Sequence, residues 1–306
     1  MHAVAFPAFG AELAATELPV PEPGAGEVLV RLRASSVNGF DLGVLGGYLQ
    51  GVYEYEFPVV LGKDFAGEVA AIGADVTGLA VGDHVFGVVM RPTLGQGGFA
   101  EYVVVDAQYA IAKLPEGLDH ARAGALGLAG TAALNAVTAV DPGPGETVLV
   151  SGATGGVGSY AVQLAAARGA RVIATAMPGS EAAFVTALGA SVAVDHADLV
   201  AQVRALAPDG VQAALHLAGD GDAVAGLLEK GGRLASTLHY SPEDASELKV
   251  TMVMADPTTA TLNALAAEVV AGRLRVPLAR TYRLAEAAGA VADFTTGTVG
   301  KLAIMI

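Results

Sequence analysis

Eight consecutive residues, Ser151-Gly152-Ala153-Thr154-Gly155-Gly156-Val157-Gly158, combine small side chains with a spacing that suits one kind of chemistry. A tight turn from a strand into a helix aims backbone N–H groups and the positive helix end at an anion, and the backbone must come close to it. Ala153-x-Gly155-x-x-Gly158 meets that need, with Ala where the usual glycine fingerprint begins. Ala153, Thr154, Gly155, Gly156, Val157 and Gly158 are therefore the candidates to cradle a pyrophosphate. An apolar strand is expected before the loop, at 147–151. An Ala-rich helix over 157–168 and a second strand at 171–176 are expected after it. That context separates a dinucleotide-binding unit from an ordinary glycine-rich turn.

The second strand ends in Ala174-Thr175-Ala176-Met177. A chain selecting NAD places Asp or Glu there, on the ribose 2′-hydroxyl. Ala176 takes that place, and the next carboxylate is Glu181. Lack of the acid removes repulsion against a 2′-phosphate, and Thr175 and Ser180 are candidates to hydrogen-bond it. No Lys or Arg lies between Arg171 and Arg204 to pair with it. The expected cofactor is NADPH rather than NADH.

The elements around the loop follow from pattern. Before it, 28–34, 66–73, 83–89 and 99–105 read as short strands with glycine punctuation, which suggests a small barrel or sandwich. A helical stretch is expected over 121–140. From 147 to 236 strands alternate with helices (180–188, 199–206, 223–228), which implies a doubly wound parallel sheet covered on both faces. The strands expected at 276–284 and 300–306, around a helix at 285–294, rejoin the first domain in the simplest topology. The expected domains are residues 1–117 with 277–306, and residues 118–276.

Composition sets outer limits. The 306 residues are enough for two domains, and 53% are hydrophobic without an uninterrupted apolar run of membrane-helix length. The first residues show no basic stretch followed by an apolar one, so a cytoplasmic protein is expected. Cysteine is absent, which removes disulfides and Cys-ligated zinc. A formal charge of −14 opposes binding to a nucleic-acid backbone.

Segments from end to end resemble the zinc-independent quinone oxidoreductase branch of the medium-chain dehydrogenase/reductase superfamily. They include 23–30, Ala34-Ser35-Ser36-Val37-Asn38-Gly39-Phe40-Asp41, 57–67, 81–87, 98–102, 128–133, the loop at 151–158 and 230–234. The resemblance implies a GroES-like β-barrel domain with an inserted Rossmann domain. Zinc-using members take a Cys near Phe40 and a Gly-His-Glu at about Gly62-Lys63-Asp64. Here Lys63 replaces the His, and no zinc is expected; Lys63 is read instead as an ion-pair partner of Asp64. Without a Lewis acid, an electron-poor acceptor fits best, a quinone or an α,β-unsaturated carbonyl. By resemblance Asn38 and Tyr48 are the catalytic candidates, orienting the acceptor or donating a proton. Tyr53 and Tyr55 share that loop and are alternatives, and Tyr48 also reads as a plain wall of the cleft. Thr131, Leu217, Ala218 and the Thr237-Leu238-His239 segment are expected to line the cofactor cleft.

The histidines form no metal-spaced pair; His84 and His120 read as structural or surface residues, and Asp195-His196-x-Asp198 as a loop. An enoyl-thioester reductase is an alternative, opposed by the shortage of cations. A non-catalytic NADPH-binding scaffold is another. No nucleic-acid or membrane partner is expected. The resemblance implies a homodimer, with 249–254 as a candidate sheet edge.

Overall fold

A computed structural model describes residues 1–238, 240 and 247–306. The chain divides into two compact units. Unit 1 holds residues 1–128, 257–272 and 278–306; unit 2 holds 129–256 and 273–277. The expected domains are drawn differently: 118–128 and 257–272 fall in unit 1 rather than with the nucleotide-binding segment.

Unit 1 begins with β1 (His2–Phe6), β2 (Ala14–Glu17) and β3 (Glu27–Ser36). Helix α1 (Gly39–Leu45) precedes β4 (Glu54–Tyr55), β5 (Val59–Val60), β6 (Asp64–Ile72) and β7 (His84–Val88). Then come β8 (Thr93–Leu94), β9 (Tyr102–Asp106), β10 (Ile111–Lys113) and the short α2 (His120–Ala123). Helix α3 (Gly127–Val140) leads into unit 2. There β11 (Thr147–Ser151), α4 (Gly156–Ala167), β12 (Arg171–Thr175), α5 (Ser180–Ala187) and β13 (Val192–Val194) follow. They are succeeded by α6 (Leu199–Leu206), β14 (Val211–His216), α7 (Gly221–Ala225), β15 (Leu228–Ser236) and β16 (Lys249–Met252). The chain ends through α8 (Thr259–Val270), β17 (Leu278–Arg283), α9 (Ala287–Thr295) and β18 (Lys301–Met305).

In unit 1 the long β3 is the hub. It pairs antiparallel with β6, β9 and β18, the last through Ala303↔Ser36 and Ile304↔Ser35. The C-terminal strand thus rejoins the N-terminal sheet. Val28, Val30, Leu32, Phe65, Val69 and Val85 pack together fully buried, each worth about 1.5–3 kcal/mol on transfer from water.

Unit 2 carries a parallel sheet in the order β13-β12-β11-β14-β15-β16. All of Thr147–Ser151 is buried, as a strand covered on both faces must be. The chain runs outward from β11 in both directions, so the ends of β11 and β14 flank a topological switch point, where ligands of such sheets sit. Gln163 in α4 anchors the returning segment: its Oε1 accepts from Arg275 N at 2.7 Å, and its Nε2 donates to Arg275 O at 3.1 Å.

Three elements differ from expectation. The helix over 121–140 breaks into α2 and α3 at Gly124, where the backbone passes Ala34 so closely that a Cβ would lie 2.9 Å from its carbonyl carbon. The helix expected at 223–228 stops at Ala225, because Gly226 caps it and Leu228 pairs with Val211 in the sheet. Helix α8 has no counterpart among the expected elements; Thr258 caps it by accepting Thr261 N at 3.1 Å, and Leu262 and Leu265 bury its inner face. Among the described residues no helix is long and apolar enough to cross a membrane.

Candidate functional site

In unit 2 the loop 152–155 joins β11 to α4, with Gly155 as N-cap. Gly152 adopts φ +82°, and a Cβ there would lie 2.8 Å from the Ala218 Cβ. A Cβ on Gly158 would overlap the Gly152 carbonyl oxygen, so the helix start packs directly on the turn. The first N–H groups of α4, from Gly156, Val157 and Gly158, have no acceptor within the helix by geometry. Ala153 is buried beneath the loop, while Thr154 and Gly155 are partly accessible. This cradle, in which Gly152 and Gly158 leave no room for a Cβ, suits a pyrophosphate.

Thr175 does not reach outward. Its Oγ1 accepts from Gly152 N at 2.8 Å and Ala153 N at 3.4 Å, and donates to Val150 O at 3.3 Å. The hydroxyl is fully engaged, which corrects its expected contact with a 2′-phosphate; it shapes the loop instead. Ser180 is exposed at the first turn of α5. Ala176 is buried after β12, and beside it Glu181 Oε2 accepts Met177 N at 2.9 Å. A carboxylate thus stands in the β12–α5 turn.

The loops after β14 and β15 are tied to one another. His216, 3% exposed, places Nε2 at 3.0 Å from Gly219 O and Nδ1 at 3.0 Å from Ser236 Oγ. A carbonyl only accepts, so the ring proton belongs on Nε2 and the Ser236 hydroxyl donates to Nδ1. Leu238 N donates to the same hydroxyl at 3.1 Å. Ser151 Oγ donates to Ala218 O at 2.6 Å, and Leu217 N to Ser151 O at 3.1 Å. Leu217, Ala218 and Leu238 are therefore gathered at the carboxyl edge of the sheet, Leu238 half exposed; His239 lies outside the described residues. Thr131, on α3, is fully buried, yet its Oγ1 has no hydrogen-bond partner. An unpartnered buried hydroxyl is costly and fits a polar ligand that completes it. Sequence reasoning passed over His216 and Ser236, although a histidine ending a buried strand was the available signal.

In unit 1 Asn38 is 7% exposed and caps α1. Its Nδ2 donates to Asp64 Oδ2 at 2.8 Å and Ser36 O at 3.3 Å, and its Oδ1 accepts from Lys301 Nζ at 2.6 Å. No amide hydrogen is left for an acceptor molecule, so the expected substrate-orienting contact of Asn38 is not available in this arrangement. Asp64 also accepts from Ser36 Oγ at 2.6 Å and Leu128 N at 2.7 Å. Its cation is Lys301, with Nζ 3.5 Å away, and not the neighbouring Lys63. Lys301 also donates to Val37 O at 3.0 Å; burial pulls its pKa down while Asp64 and Asp41 oppose that. Asp41, fully buried, is pushed up to about 6 chiefly by desolvation, against the donors Asn38 N and Gly62 N. Lys63 Nζ donates to Val89 O and lies 4.9 Å from the Phe40 ring centroid. Burial lowers it to about 8, with Asp41 and Asp64 opposing. The zinc donor set of the resembled dehydrogenases does not fit here. Phe40 offers no ligand atom, the Lys63 ammonium holds a carbonyl, and Asp64 is satisfied by four donors. Among the described residues no three His, Cys, Asp or Glu side chains gather to hold a metal.

The three tyrosines separate. Tyr55 donates to Val44 O at 3.3 Å and packs its ring on Phe9 and Phe57. Tyr53 packs edge-on to Phe40. Tyr48 is 83% exposed.

Comparison with known proteins agrees with this geometry. Residues 24–116 match the alcohol dehydrogenase GroES-like domain family, and residues 156–260 match the zinc-binding dehydrogenase family. A chloroplastic quinone oxidoreductase of Triphysaria versicolor is 38% identical over 206 residues, covering 64% of this chain and 61% of the relative. The match thus spans less than two thirds of that protein's length. A quinone oxidoreductase structure from Coxiella burnetii superposes with a TM-score of 0.88 at 28% identity, covering 100% of this chain and 99% of that one. A mycobacterial protein solved in complex with NADPH gives 0.87 at 28% identity, with both chains fully covered. The parallel sheet with its glycine cradle, the β-sheet unit rejoined by the C-terminal strand, and these similarities lead to one assignment: the chain is built from an alcohol dehydrogenase GroES-like domain and a zinc-binding dehydrogenase domain, and it is similar to quinone oxidoreductases.

Proposed function

We propose that this protein is an NADPH-dependent reductase of quinones or α,β-unsaturated carbonyls that works without zinc. The observation that carries the reading is the cradle of 152–158, where Gly152 and Gly158 exclude any Cβ and Thr175 holds the turn from behind. Backbone N–H groups at the start of α4 would bind the pyrophosphate, and Thr131 Oγ1 would gain the partner it lacks. Bound NADPH supplies the hydride. Tyr48 holds a proton at its phenol oxygen, within reach of solvent, for the oxyanion or enolate that hydride addition creates. Asn38 is a positioning residue: it locks α1 to Asp64 and Lys301, and so fixes the loop that carries Tyr48.

The chemistry is tested by loss of reduced-nicotinamide absorbance with phenanthrenequinone, a pentenone and crotonyl-CoA. Turnover of the quinone or the enone is expected. Turnover of crotonyl-CoA alone would favour an enoyl-thioester reductase. Tight NADPH binding with no turnover would favour a scaffold. Activity retained after exhaustive chelation supports zinc independence.

Glu181 favours a second reading of the cofactor. Its carboxylate stands in the β12–α5 turn, where it would repel a 2′-phosphate and accept from a ribose hydroxyl. In that reading NADH serves, and Glu181→Gln would raise the NADPH preference; with NADPH as the natural cofactor the KM ratio already favours it in the parent protein.

The outer edge of β16 supports a homodimer. Among the described strands it pairs only with β15, and Met252 and Met254 are exposed there. A small-molecule acceptor and no nucleic-acid partner agree with the charge of −14, and cytoplasmic residence remains part of this proposal.

A further inference from the structure

We propose that His84 and His120 form a surface site for a borderline divalent transition ion of the Zn²⁺, Ni²⁺ or Cu²⁺ class. His84 opens β7, and His120 opens α2 immediately after its N-cap Asp119. The two rings face each other, with Nδ1 of His84 3.1 Å from Nε2 of His120 and ring centroids 5.1 Å apart at 61°. Neither ring makes another hydrogen bond among the described residues.

That separation matches what an ion requires. Imidazole nitrogens bind such ions at about 2.0–2.1 Å, so two nitrogens 3.1 Å apart subtend roughly 95–100° at the metal. The angle lies between octahedral and tetrahedral values, so only small ring rotations are needed. Two neutral imidazoles at this distance share one N–H. On binding, the donor ring shifts its proton to its outer nitrogen, which has no competing partner. Both facing nitrogens then present lone pairs to the ion, and water fills the remaining positions.

Glu68 pairs directly with His84 across β6 and β7. Asp83 adjoins it, its carboxylate on Lys113. Glu68 is in turn paired with Arg31 and Arg33, so neither carboxylate is placed in the inner shell. His84 is exposed and His120 partly so, which leaves the ion an open path. Both rings stand on backbone fixed by strand or helix, so the pair is preorganised.

The test uses the untagged full chain, titrated with NiCl₂ and with ZnCl₂ by calorimetry, with thermal unfolding measured in parallel. One equivalent is expected to bind and to raise the unfolding temperature, since the ion binds only the folded pair. His84→Ala and His120→Ala should each weaken binding by roughly tenfold or more, about 1.4 kcal/mol. His2→Ala and His196→Ala, altering exposed histidines elsewhere, should leave it unchanged. If His120→Ala disturbs α2, His84→Ala alone decides, because its ring is exposed at a strand end. Absence of saturable binding, or undiminished binding in His84→Ala, overturns the proposal.

Discussion

Two lysines of unit 1 occupy opposite electrostatic situations. Lys301 is 2% exposed and has three acceptors: Val37 O, Asn38 Oδ1 and Asp64 Oδ2. Removing one partner of a buried pair leaves the other charge stranded, which costs about 3–5 kcal/mol. Lys301→Met should therefore lower the unfolding free energy by that order in urea titrations, with Asp64 left unpaired. Lys63 has one carbonyl and an aromatic face, and its pKa falls to about 8 from an ordinary 10.5. Between those values the unfolded chain holds a proton that the folded chain has released. Stability from this group is thus complete above about 10.5 and is lost as pH falls through about 8. The unfolding free energy of the parent protein relative to Lys63→Met should rise with pH across that window, by up to about 1.4 kcal/mol per unit. A flat difference would show that Lys63 is not desolvated.

At the scale of elements, the β11–α4 turn depends on a side chain from the next strand. Thr175 on β12 satisfies two N–H groups of the turn. Thr175→Val keeps the shape and removes the acceptor, which should cost about 1–3 kcal/mol and loosen the cradle. Affinity for NADPH and NADH should then fall by the same factor in fluorescence titrations. A fall confined to NADPH would mean that Thr175 contacts the 2′-phosphate after all. Gly158→Val should abolish binding of both, because its side chain has no space against Gly152 and Ala153.

For the molecule as a whole, the ordering of strands makes unit 1 depend on both chain ends. β18 lies between β3 and β17, so a strand near residue 303 completes a sheet begun near residue 27. Deleting 301–306 should unfold unit 1 while unit 2 retains its parallel sheet, seen as protease resistance limited to the segment around 129–256. The edge strand β16 makes a separate prediction. Met252→Lys should convert a dimer to a monomer in sedimentation without lowering unit 2 stability; a parent protein that already sediments as a monomer removes the proposed interface.

The sequence by itself determined the local plan. The glycine spacing at 151–158 and the alternation from 147 to 236 follow from backbone sterics and short-range periodicity, and they are present in the structure as β11, α4 and the parallel sheet. Tertiary structure alone decided where polar groups point, since hydrogen bonds that join distant segments leave no periodic trace. Thr175 turned inward, away from a phosphate. Asn38 became a buried cap tied to Lys301, 263 residues away. His216 was matched to Ser236, and His84 to His120, across strands and a helix whose neighbours only the fold selects. Helix α8 and the break at Gly124 belong to the same class: each is set by what the segment packs on, which no window of the sequence contains.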